Sequence, residues 1–286
     1  MDNPPLDSDL HSPFEDYSNS QITKLYLSER STFRNLSKRS VSVSRGSGGI
    51  PSVTNQMFWA SVLFTRIVVI SKSFEKLLPN PKPKEHWDFG SAASISRNLS
   101  EAYLWYFWLC EDDVALPVSD GRLILMQLFD HGSRKKIFHP NEFLSENDKV
   151  LEDLKSKFFR NPYLKTLPEK RQKVLLKGQK TPFNQDEVLE RMNTDKDDFR
   201  MMYRWFSQYT HTGPVAFYRM FEGTTRGAGV ETRLEKIYYI FAIQFASAIL
   251  KSAINGHLKM FPNAETRKPW LTDNQVIRNV ERDQGR

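Results

Sequence analysis

Two stretches of this chain, residues 57–70 and 237–250, each run for fourteen largely apolar residues, and a third, 91–110, is dense in aromatic side chains. Strands of globular proteins rarely exceed about ten residues, so segments of this length read as helices. In the first, Phe58, Val62, Ile67, Ile70, Phe74 and Leu77 keep a helical period until the breaker run Pro79-Asn80-Pro81-Lys82-Pro83. In the third, Ile95, Leu99, Ala102, Tyr106 and Leu109 fill one side, while Leu104, Trp105, Phe107 and Trp108 fill the others. A helix apolar all round is buried all round. Further helices are expected at about 119–138, 143–159, 166–177, 184–193, 196–211 and 230–261, and the fold class is all-α. Thirteen Gly beside twenty Phe, ten Tyr and six Trp suit packed helices better than turn-rich sheets.

Around these helices the composition changes. Residues 1–51 hold eleven serines, an acidic opening and a glycine-rich end, too little apolar surface to offset the entropy of ordering, and are expected to form a flexible arm. Residues 52–262 form the helical domain and 263–286 a polar tail. Of the formal charge of +7, all resides in residues 134–180, where thirteen Lys/Arg face six Asp/Glu, so 134–195 is expected to be a basic helical insertion on a single bundle-like core. Such a segment suits RNA or another polyanion. It equally suits an ordinary solvated face.

The first twenty residues lack the basic-then-apolar pattern of a secretory signal. Fourteen-residue apolar runs fall short of the roughly twenty needed to span a bilayer, so no membrane partner is expected. The single cysteine, Cys110, lies in an aromatic run and forms no intrachain disulfide, which suits a reducing cytoplasm. No Walker A, dinucleotide or paired Cys/His motif occurs; Asp130, His131 and His139 in the basic region are the nearest approach to a metal set, and no cofactor or metal is expected. The loop 223–229, with three glycines, reads as a plain helix connection.

The residues that could carry chemistry lie on the 196–211 helix. At about 100° per residue, Arg200, Arg204, Ser207 and His211 fall on one stripe beside an apolar face of Phe199, Met202, Tyr203 and Phe206. The imidazole of His211 among cations would be suited to act as a base; alternatively it is a plain helix end before Thr212-Gly213-Pro214. In the 91–110 helix Arg97 and Glu101 share a face, with the arginine first, the weaker order for a surface pair. Their functional reading is that they meet the Arg204/Ser207/His211 stripe across a helix interface, forming a buried polar site. The plainer reading is a structural ion pair. No acid on the stripe itself would orient the imidazole, so a serine hydrolase would need Glu101 for that role.

The pairing of Arg97-x3-Glu101 with Tyr203-x3-Ser207-x3-His211 resembles a bacterial family of helical proteins of unknown function, over residues 57–261. Arg204-x6-His211 is also similar to the signature of HEPN-type helical ribonucleases of toxin–antitoxin and phage-defence systems, although Trp205 stands where that family commonly has a polar residue. The second resemblance implies metal-independent RNA cleavage by Arg204 and His211 in a homodimer, with Arg97, Glu101 and Ser207 positioning them and Arg200 and Tyr203 on the substrate. Two functions follow: a HEPN-like RNA endonuclease or defence effector, or a non-enzymatic helical interaction protein in which the same polar cluster is structural.

Overall fold

The computed structural model describes residues 12–82, 85–137, 146–218 and 229–268. Eleven α-helices and no strand occur among them: α1 (Asn19–Ser47), α2 (Asn55–Lys76), α3 (Phe89–Tyr106), α4 (Leu116–Ile137), α5 (Glu146–Arg160), α6 (Pro162–Thr166), α7 (Glu169–Leu176), α8 (Gln185–Arg191), α9 (Lys196–Thr210), α10 (Pro214–Tyr218) and α11 (Arg233–Met260). The all-α expectation holds, and the apolar period and prolines place most helix ends within a few residues. The expected 166–177 helix is α7, which begins only after Pro168, and the short α6 ahead of it is an additional element.

The chain forms two compact units rather than one core with an insertion. The first comprises residues 1–53, 61–105 and 197–286; the second comprises 54–60 and 106–196, beginning well before the expected insertion at 134. The reason is α4, which packs against α5, α6 and α7 of the second unit.

Most of the expected N-terminal arm is helix. Ser18 and Gln21 form a reciprocal capping box at the start of α1, which then runs for 29 residues along α11. Its buried seam, Ile22, Tyr26, Arg30, Phe33, Ser37, Ser40, Val43 and Ser47, keeps a spacing of three to four. Ser40 and Ser47 hide there by donating to carbonyls of their own helix, at Ser37 and Ser44, and Ser37 by donating to Glu75 of α2. Gly46 lets the backbone at Ala264 come so close that a Cβ would collide with it, so the tail is docked at that point. Residues 1–11 and 269–286, and 223–228 of the glycine-rich loop, lie outside the described residues.

In the first unit Phe89, at the start of α3, touches Trp205, Phe206 and Tyr209 of α9 and Tyr238 and Tyr239 of α11. Phe199 and Phe206 of α9 also meet Phe245 of α11. This aromatic cluster fixes α3 against α9. By length and composition α2 and α11 could each cross a membrane; in α11, 61% of the most apolar window is buried within the protein, in α2 39%.

The second unit is stitched by close backbone contacts. A Cβ on Gly132 of α4 would collide with the carbonyl of Gly178, and one on Gly178, whose φ is +60°, with the carbonyl of Leu128. A cleft of about 640 Å³ opens between α4 and α5, with Trp59, Met126, Val150 and Leu154 among its lining.

Candidate functional site

Arg97 is the hub of the site. From the face of α3 its Nη1 lies 3.1 Å from Nε2 of His211, just beyond the end of α9. A guanidinium only donates, so Nε2 accepts and the ring proton sits on Nδ1. Nη2 of Arg97 reaches Glu101 Oε1 at 2.9 Å and the Tyr203 hydroxyl at 3.1 Å. That hydroxyl in turn donates to Glu101 Oε1 at 2.7 Å. Burial, and then the Glu101 carboxylate, push the Tyr203 phenol above its ordinary value, which keeps it a proton donor. The guanidinium also lies 5.0 Å from the centroid of the Tyr203 ring.

These four groups come together because α3 and α9 are clamped by the aromatic cluster one to two turns away. The site is open rather than buried, contrary to the sequence expectation. The Arg97 side chain is 18% exposed, that of Glu101 44%, and His211 is exposed. Helix α9 stops at Thr210, and the chain turns at Thr212, with φ +50°, leaving His211 on the rim.

The rest of the expected stripe does not join. Arg204 is exposed and makes no hydrogen bond or ion pair with a described residue. Arg200 bonds Asp197 on its own helix at 3.3 Å. Ser207 gives its proton to the carbonyl of Tyr203 at 2.7 Å, a bond within the helix that takes it away from the imidazole. Trp205 faces inward, onto Phe89 and Tyr238. The guanidinium that meets the imidazole is therefore that of Arg97, not of Arg204.

A second polar centre escaped the sequence reading. After α3 the helix widens into a π-helical turn, Phe107–Glu111, in which Asp112 N–H reaches back to the carbonyl of Phe107. Asp112 then accepts from Arg122 at 2.7 Å and, through both oxygens at 2.6 Å, from Arg191. Arg122 also donates to the carbonyl of Trp108 and lies over its ring. The signal available was Arg122 itself, a charge among Leu123, Leu125 and Leu128 that burial obliges to find a partner. Among the described residues no group of three or more His, Cys, Asp or Glu could hold a metal; Asp130 and His131 stand without a third ligand, and His139 lies outside the described residues.

Residues 57–228 match a family of unknown function, DUF5677. The chain belongs to that family. All the side chains of the Arg97 network fall within the DUF5677 span, whereas α1 and α11 fall outside it. No curated protein and no solved structure matches the chain.

Proposed function

We propose that this DUF5677 protein is a HEPN-like, metal-independent RNA endonuclease of the cytoplasm, of the kind used in defence or toxin systems, with His211 as its acid–base group. The observation that supports the reading is the contact between the exposed His211 imidazole and the half-buried Arg97 guanidinium. An incoming phosphodiester would draw Nη1 of Arg97 onto its oxygens and free the Nε2 lone pair. That nitrogen would then take the proton of the ribose 2′-hydroxyl as its oxygen attacks phosphorus. The 5′-oxygen leaves with the proton returned from the imidazolium, and the product is a 2′,3′-cyclic phosphate. Glu101 and Tyr203 would hold the guanidinium in place, while exposed Arg204 and half-buried Arg200 offer charge to the flanking strand.

A scaffold reading has its own support: both Nη groups of Arg97 are already bonded within the protein. Incubating total RNA with the wild type and His211→Ala in EDTA separates the two. Cleavage to cyclic-phosphate ends by the wild type alone is expected. Intact RNA, or equal cutting by the variant, sinks the nuclease reading.

A further inference from the structure

We infer that Lys135, Lys136, Lys177 and Lys180 form a docking surface for single-stranded RNA on the second unit. This rests on the ribonuclease reading for its choice of polyanion. Lys135 and Lys136 follow Gly132 by three and four residues, so they stand on the same side of α4, one turn further on. Against that side lies the backbone of Gly178, so close that neither glycine could carry a Cβ. Lys177 and Lys180 flank Gly178 and are thereby brought to the end of α4. Lys170 stands two turns back along the face of α7 that leads to Lys177, roughly 10 Å away.

All five lysines are exposed, and none has a hydrogen bond or ion pair with a described residue. Four described acids of the region are already engaged. Asp130 pairs with Arg134, Glu152 with Lys155, Asp153 with Lys157, and Glu169 with Lys173. Among the described residues the local excess of charge thus falls on lysines that no carboxylate pairs with, and their mutual repulsion is relieved when a polyanion binds. A lysine ammonium is a point charge without the planar fork that reads bases, so the surface follows the phosphate backbone irrespective of sequence.

The test is fluorescence anisotropy of a short labelled RNA strand of mixed sequence against the full chain in EDTA, in the His211→Ala background so that no RNA is consumed. Replacing the four lysines by Gln is expected to weaken binding by roughly tenfold or more and to lower the salt slope by about 3, close to 0.7 for each phosphate no longer neutralised. The matching set of four Lys→Arg replacements keeps the charge and is expected to retain binding, which separates removal of charge from damage to the fold. Unchanged affinity and slope in the Gln variant overturn the inference. So does tighter capture of duplex DNA or polyglutamate than of RNA, which would assign the surface to another polyanion. If the wild type binds RNA without cutting it, the catalytic reading fails and the docking surface stands. If it cuts RNA and the Gln variant binds and cuts equally well, the docking surface fails alone.

Discussion

Arg97 with Glu101, and Arg122 with Asp112, are both guanidinium–carboxylate pairs, but they occupy opposite environments. The Asp112–Arg122 pair is sealed: the two side chains are 6% and 7% exposed, and each oxygen of the carboxylate receives a charged donor, with the half-exposed Arg191 as its outer cap. The Arg97 centre is open, with a carboxylate nearly half exposed and an imidazole at its edge. A buried carboxylate already holding two guanidinium groups serves as a fastener, because its lone pairs are taken. An open pair costs less to break and leaves its donors within reach of a ligand.

The largest expected effect tests the sealed side. Asp112→Ala leaves two guanidinium groups facing an empty site and should destabilise the fold by about 3–5 kcal/mol, read as a lower urea midpoint. If the midpoint holds, the sealed centre is not a fastener.

The contrast extends to histidine. His257 is fully buried, stacked between Phe64 at 4.0 Å and Phe261 at 4.6 Å and joined to Ser47 at 3.0 Å. Burial holds its imidazole far below the ordinary 6.5, at about 3. Between those values the unfolded chain binds a proton that the folded one refuses, so the contribution is complete above about pH 6.5 and is lost as the pH falls towards 3. On the order of a few kcal/mol should disappear over that window, and His257→Phe should flatten the acid limb of a stability–pH curve. An unchanged acid limb in the variant would place the acid sensitivity elsewhere.

Arg30 offers a finer break. It is 5% exposed and its Nε has no partner, and burial lowers its affinity for the proton, an effect that Tyr26 and the Glu85 and Glu75 carboxylates offset only in part. Arg30→Met should leave stability unchanged or raise it by about 1 kcal/mol; a clear drop in melting temperature would reveal a stabilising role for the charge. Smallest of all, Glu101→Gln at the open site should change stability by less than about 1 kcal/mol, as measured by the same urea titration. A loss as large as that from Asp112→Ala would erase the distinction between the two centres.

Much of the helical framework was readable because its helices announce themselves by apolar period and by proline. Helix α1 was not, since its buried seam uses Ser37, Ser40, Ser47 and an arginine where a hydrophobic count looks for leucine. At the site, spacing alone put Arg97 and Glu101 on one face, and Tyr203 and His211 on another helix. Which arginine would meet the imidazole depended on the docking of α3 on α9, governed by Phe89 and Trp205 from a distance no local pattern encodes. Asp112 was illegible for a related reason: a single π-helical turn shifts the register by one residue, and no residue type marks it.

Helix α9 carries two of the four groups of the open centre or its rim, yet its inner face rests on Phe245 and Tyr238 of a helix beyond the span that defines the family. Anyone trimming the gene to residues 57–228 would therefore saw off the wall against which the working helix leans. Phe199, Phe206 and Trp205 would lose their aromatic partners on α11, and an inactive or insoluble fragment would say nothing about the chemistry of the intact protein.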